Sequence, residues 1–288
     1  MTLRNEIVFI TIATRKYVTL GVESLESVHS RFQAPGDVQV RLFLLTDQVD
    51  EDDGDGAAGV PLPDYVQARR IPDRPWPRST LAKFEDLIVR VGGEIRGARY
   101  AYFLDADTRM VDNVTLDEIQ GRLVAVEHPY YPRNHPGFCG RYGDLASTGM
   151  NGFDAKGTFT FCQYPYERSR ASAAYIDQSR GKLPPRWDTA NSYYLQAAFF
   201  GGEGPAMYAM LVELRRSVER DNRRRVVASI HDESHLNRYL LDRQDVRVLS
   251  SAFIYPEHPK DIQFHMNWLF PLTPKIFHVV KDEAKLRG

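Results

Sequence analysis

Cysteine is almost missing from this 288-residue chain, which has only Cys139 and Cys162. Two thiols cannot build a disulfide framework or a four-cysteine zinc site, and in a reducing compartment they stay as thiols. Net charge is nearly missing too, with 37 basic against 38 acidic residues. A nucleic-acid binder would normally carry a basic stripe. The one dense basic stretch, Arg215-Arg216 to Arg223-Arg224-Arg225, is broken by Glu219 and Asp221. It reads as the solvated end of a helix, so no nucleic-acid partner is expected. No apolar run approaches the roughly 18 residues that mark a membrane span. Met1 leads into a polar stretch and then a short apolar strand, so neither a signal peptide nor an anchor is expected, and the expected location is the cytoplasm.

What is present has a repeating order. Ile7–Ala13 is a nearly continuous β-branched run, as in a strand covered on both faces. Val18, Val22, Leu25, Val28 and Phe32 then recur at helical spacing, and Val38–Leu45 is a second buried strand. Strand, helix and strand in succession make a βαβ unit, the building block of α/β sheets. The acidic, Gly- and Pro-bearing stretch Asp50–Pro63 reads as a surface loop. A strand is expected at Tyr65–Ile71, and a helix from a Ser79 cap through Val91 on Leu81, Phe84, Leu87, Ile88 and Val91. Tyr100–Leu104 is a strand running straight into Asp105-Ala106-Asp107. Residues 128–192 are irregular, a length that marks binding loops or lids. Order returns at Tyr193–Phe200, in helices over Pro205–Asn222 and Asp232–Leu241, and in a strand from Ile276.

Three stretches carry chemistry. In open α/β sheets ligands gather at the carboxyl ends of strands. There Asp105-Ala106-Asp107 presents two hard carboxylates able to share Mn²⁺ or Mg²⁺ and, through it, a diphosphate. An isolated Asp-X-Asp also suits a turn or helix cap, but its place after an apolar strand favours the metal reading. His231-Asp232-Glu233-Ser234-His235 places two histidines four apart, which invites a zinc hydrolase. That motif needs Glu directly after the first His, where Asp232 stands, so a helix start is the simpler reading. Glu233 between two hydrogen-bonding neighbours also suits work at a sugar carbon. Phe199-Phe200-Gly201-Gly202-Glu203 reads chiefly as tight strand packing.

Taken together these segments resemble glycosyltransferase family 6, which includes the histo-blood-group A and B transferases and the α-1,3-galactosyltransferases. The resemblance is carried by Tyr17-Val18, Thr46-Asp47-Gln48, Phe103–Asp107, Tyr166-Glu167-Arg168 with Ser172–Ile176, Phe199–Gly202, and the eleven residues His231–Leu241. It implies an α/β fold of the GT-A type, Rossmann-like, with a mostly parallel sheet flanked by helices in one catalytic domain. Residues 1–110 would form the nucleotide-binding part, 111–275 the donor-sugar and acceptor part, and 276–288 a tail closing on phosphate. The implied reaction is retaining transfer of galactose or N-acetylgalactosamine from UDP-Gal or UDP-GalNAc, in α-1,3 linkage, to a galactoside acceptor.

By position in the resemblance, Ile12, Ala13, Thr14 and Tyr17 would line the uridine. Asp105 and Asp107, with Ala106 between them, would hold Mn²⁺ (or Mg²⁺). Lys83 is a basic position near the donor, Lys281 and Arg287 are basic positions in a tail that closes over the diphosphate, and Asp232 would orient the donor sugar. Glu233 would be the catalytic carboxylate and also face the acceptor, beside His128. His135-Pro136-Gly137-Phe138 is an alternative match for that histidine. Gln196-Ala197-Ala198 would read the donor's C2 substituent, and alanines in place of glycines favour galactose. Ile230 and Pro256 depart from the animal enzymes at acceptor positions. Without the Golgi anchor of those enzymes, the chain resembles a soluble microbial member. A sugar-nucleotide or glycan-binding protein without catalysis, or a zinc hydrolase on His231 and His235, are the competing readings.

Overall fold

The computed structural model describes residues 3–49, 61–129, 166–176, 194–241, 243–257 and 272–280. Both cysteines and most of the irregular stretch therefore lie outside the described residues, as do residues 50–60 of the acidic loop.

The chain opens with β1 (Arg4–Ile12), a 3₁₀ turn (Arg15–Tyr17) and α1 (Val18–Arg31). There follow β2 (Phe32–Gln33), β3 (Gln39–Thr46), β4 (Val66–Arg70), the short α2 (Arg78–Leu81) and α3 (Lys83–Gly97). Next come β5 (Ala98–Asp105), β6 (Thr108–Met110), β7 (Val114–Thr115), α4 (Leu116–Ile119) and β8 (Leu123–Glu127). The second half supplies β9 (Leu195–Glu203), α5 (Gly204–Arg224), α6 (His231–Leu240), β10 (Val246–Leu249), β11 (Tyr255–Pro256) and β12 (Ile276–His278).

Seven strands make the central sheet in the order β10-β8-β9-β5-β1-β3-β4. All neighbours are parallel except β9, which runs antiparallel to both β5 and β8. Two apolar cores follow from this, because β1 buries alternate residues on opposite faces. Ile7 and Phe9 pack with Val18, Val22, Leu25 and Val28 of α1. Val8 and Ile10 pack with Phe84, Leu87, Val91 and Ile95 of α3 and with Met207, Met210, Leu211 and Leu214 of α5. The result is helix, sheet, helix in three layers, the mixed α/β fold with a mostly parallel sheet that the sequence implies.

Two sequence expectations need correction or settle plainly. Ser79 does not cap a helix: it lies inside α2, whose N-cap is Pro77, and the helix over the apolar run begins at Lys83. Carbonyls of Pro75 and Pro77 take the N–H groups of Ser79 and Leu81, so no serine cap is needed. Gly201 and Gly202 are packing glycines. A Cβ on Gly201 would stand 2.2 Å from the Ala101 carbonyl, and Gly202 has φ +135° and sits against the Arg122 carbonyl. Among the described residues no helix is long and apolar enough to cross a membrane.

Candidate active site

The sheet order reverses about β1: α1 leads to β3 on one side, and β5 lies on the other. A crevice forms at the carboxyl ends of strands where such a reversal occurs. Register puts Ile12 opposite both Asp105 of β5 and Leu45 of β3, so the three strands end at one edge. Ala13 is buried there, while Ile12, Thr14 and Tyr17 are partly exposed and available to a ligand. The turn is held by side chains the sequence reading did not assign a role. Asp47 Oδ1 accepts the Arg15 N–H at 2.9 Å, Gln48 Nε2 donates to the Arg15 carbonyl at 2.8 Å, and Arg15 pairs with Asp73.

Lys83 ties the two halves of the site. It is the first residue of α3, is buried, and its Nζ reaches Asp105 Oδ1 at 3.1 Å and Asp232 Oδ2 at 2.7 Å. Asp105 belongs to the end of β5 and Asp232 to the first turn of α6, 149 residues from Lys83 in sequence. Burial alone would push the lysine toward neutrality, but the two carboxylates outweigh it and hold its pKa above the ordinary value. Burial also raises Asp105, against the pull of Lys83.

Glu233 sits one residue beyond Asp232, and its Oε2 accepts the Ala197 N–H at 3.1 Å. That N–H is available because β9 bulges against β8: Ala125 pairs with Phe200, whereas Val126 pairs with Gln196. Gln196, Ala197 and Ala198, all buried, therefore lie at the catalytic candidate. Burial pushes the Glu233 carboxyl up to about 7, opposed by the Tyr194 side chain and the Ala197 N–H. Asn237, one helical turn on, donates from Nδ2 to the carbonyls of Leu195 and Glu233, and its Oδ1 accepts the Leu195 N–H. This amide bolts α6 to β9. Its signal in the sequence was a lone Asn four residues after Glu233, which periodicity does not distinguish from a solvated residue.

Asp107 is buried, and its Oδ2 lies 3.0 Å from His278 Nε2 on β12. His128 follows β8, is buried beside Tyr194, and is pushed down to about 3 by burial and by the neighbouring His278. It is therefore a neutral imidazole at physiological pH. Lys281, Arg287 and His135 lie outside the described residues.

His231 and His235 do not form a pair. His235 is buried with Nδ1 at 2.9 Å from Ser217 Oγ and Nε2 at 3.6 Å from Asp221. His231 instead lies edge-on to Trp76, their rings 4.7 Å apart. The helix-start reading is the one the structure bears out. Among the described residues no three His, Cys, Asp or Glu side chains already converge as a metal cage. Asp105 and Asp107 nonetheless offer the hard oxygen donors that Mn²⁺ or Mg²⁺ takes.

Asp221 and Glu167 brace the site from behind. Asp221 takes the Ser172 hydroxyl and the Ala173 N–H, and Glu167 takes the N–H groups of Ser169 and Ser229 just before α6. The Tyr166–Ile176 segment thus docks on α5 and on the approach to the Asp232-Glu233 turn.

The architecture is that of an α/β protein with an acidic, lysine-bridged site at its sheet's carboxyl edge. Comparison with known proteins adds a similarity: the family model for glycosyltransferase family 6 matches residues 155–280. Human globoside alpha-1,3-N-acetylgalactosaminyltransferase 1 is 24% identical over 252 residues, covering 85% of this chain and 59% of that protein. Rat histo-blood group ABO system transferase 2 is 33% identical over 94 residues, 33% of this chain and 25% of that protein. The O-antigen biosynthesis glycosyltransferase WbnI of Escherichia coli is 21% identical over 193 residues, 67% of each chain. The chain is similar to proteins of glycosyltransferase family 6, and it spans about three fifths of the globoside transferase it matches.

Proposed function

We propose that this protein is a retaining GT-A glycosyltransferase. It would move galactose or N-acetylgalactosamine from a UDP-sugar, in α-1,3 linkage, to a galactoside-containing acceptor. The observation that carries the reading is Lys83 joining Asp105 at the end of β5 to Asp232 on α6, with Glu233 next in line. In this reading that lysine joins the nucleotide side to the sugar side. The relatives, an alpha-1,3-N-acetylgalactosaminyltransferase and an alpha-1,3-galactosyltransferase among them, support the linkage.

In this reading Ile12, Ala13, Thr14 and Tyr17 receive the uridine at the end of β1. Asp105 and Asp107 would hold Mn²⁺, which offsets the charge that develops on the departing diphosphate. Lys83 holds Asp232 in place at 2.7 Å, so that Asp232 can accept hydrogen bonds from the donor sugar's hydroxyls. Glu233, aligned by the Ala197 N–H, presents a carboxylate to the anomeric carbon on the face opposite the leaving group. There it attacks, or stabilises the positive charge of an oxocarbenium-like state. Ala197 and Ala198 bound the space beside C2, which favours galactose over the bulkier N-acetyl sugar. His128, neutral and beside Tyr194, would face the acceptor, and Lys281 and Arg287 would meet the diphosphate.

The test is UDP release from UDP-Gal and from UDP-GalNAc with lactose-type and fucosylated acceptors, with and without Mn²⁺. Wild type should release UDP and form an α-linked product, while Glu233→Gln should bind UDP and turn over at least 10³-fold more slowly. Equal UDP binding with no product from either protein would make it a binding protein instead. Full turnover in excess chelator would remove the metal from the scheme.

A further inference from the structure

Asp107 has a companion that the Asp-X-Asp pattern does not include. His278 reaches it from 171 residues along the chain. Its placement is built in twice. β12 pairs antiparallel with β6 so that His278 stands opposite Thr108, and the Val279 N–H donates to the Asp107 carbonyl at 2.7 Å. The imidazole is one-third exposed, whereas the Asp107 carboxylate is 6% exposed, so the ring is on the solvent side of the pair.

We propose that His278 Nε2 is a protein ligand of the divalent ion, beside Asp107. The inference deepens the metal-dependent reading above and rests on it. Adjacent ligands of an octahedral ion at about 2.1 Å stand about 3.0 Å apart. Nε2 and Asp107 Oδ2 are 3.0 Å apart, held so by the strand pairing. Asp105 Oδ1 meanwhile faces Lys83, so the ion's firmest protein contacts are on the Asp107 side. An imidazole nitrogen also softens a site otherwise made of carboxylate oxygens. It shifts preference from Mg²⁺ toward Mn²⁺ and Co²⁺. A histidine serving only to orient Asp107 would keep its hydrogen bond and stay off the ion.

Pulsed electron paramagnetic resonance on the full chain with Mn²⁺ and UDP separates the two roles. A directly bound imidazole gives ¹⁴N coupling to Mn²⁺, which changes to the ¹⁵N pattern when the protein carries ¹⁵N-histidine. The coupling should vanish in His278→Gln and persist in His128→Gln, and Mn²⁺ should bind His278→Gln at least 10-fold more weakly. Should His278→Gln not fold, the isotope experiment on wild type decides alone. Bound Mn²⁺ without imidazole coupling, or coupling that survives in folded His278→Gln, overturns the ligand assignment and leaves metal-dependent transfer standing. Wild type that binds no Mn²⁺, with or without UDP, overturns both.

Discussion

At the scale of single residues, Glu233 sets function against stability. Its carboxyl is pushed by burial to about 7, against 4.5 for an ordinary glutamate. The folded protein thus binds this proton more tightly than the unfolded chain does. The group contributes nothing unfavourable below pH 4.5, and stability falls as pH rises from 4.5 through 7, by at most about 3 kcal/mol. Glu233→Gln keeps an oxygen for the Ala197 N–H and has no charge to bury. Its melting temperature should match wild type at pH 4 and exceed it at pH 8, as thermal melts at the two pH values will show. The wild-type turnover rate should rise with pH and level off above about 7, as the carboxyl becomes the carboxylate that the proposed reaction uses. Lys83 behaves oppositely. Lys83→Met removes the cation between two carboxylates, one of them nearly buried, and should destabilise by about 3–5 kcal/mol in urea titrations. Lys83→Arg, which keeps the charge, should lose much less.

The scale of elements shows what the sequence could and could not reveal. α1 and the core of α3 were legible because Val18, Val22, Leu25 and Val28, or Phe84, Leu87, Val91 and Ile95, recur at helical spacing and face a sheet. Asp105 and Asp107 were legible because an apolar strand leads directly into them. The direction of β9 was not, since a strand buried on both faces carries no alternation to separate parallel from antiparallel pairing. Nor was the Lys83–Asp232 pair, because local spacing says nothing about partners 149 residues apart. Only the resemblance brought those residues to one site. His278 escaped for the same reason: Asp107, the group it meets, is 171 residues away in sequence. At the α6–β9 joint the Asn237 amide takes both backbone groups of Leu195, beside the Ala197–Glu233 contact. Asn237→Leu leaves the Leu195 N–H and carbonyl buried without their partner, which should destabilise by about 2–3 kcal/mol. It should also lower kcat more than it raises KM, because the Ala197–Glu233 contact drifts while the proposed uridine side stays in place. Steady-state kinetics beside a denaturation curve reads both.

At the scale of the whole molecule, the sheet is assembled out of sequence order. β9 lies between β5 and β8, although β8 precedes it in the chain. A fragment ending at Glu127 would leave the backbone of Tyr100–Leu104 without its β9 partner and β8 without any neighbour in the sheet. Such a bare apolar edge templates association between chains. Residues 1–127 alone should therefore aggregate, a result that solubility and light scattering will show; a monomeric fragment with a cooperative melt would contradict it. The antiparallel strand has a further consequence in the cell. At about 5–20 residues per second of synthesis, the edge of β5 waits roughly 5–20 seconds for β9 to leave the ribosome. For that interval the nascent chain is half a sheet with its stickiest strand outermost. A holding chaperone, rather than any later maturation step, is what this topology calls for.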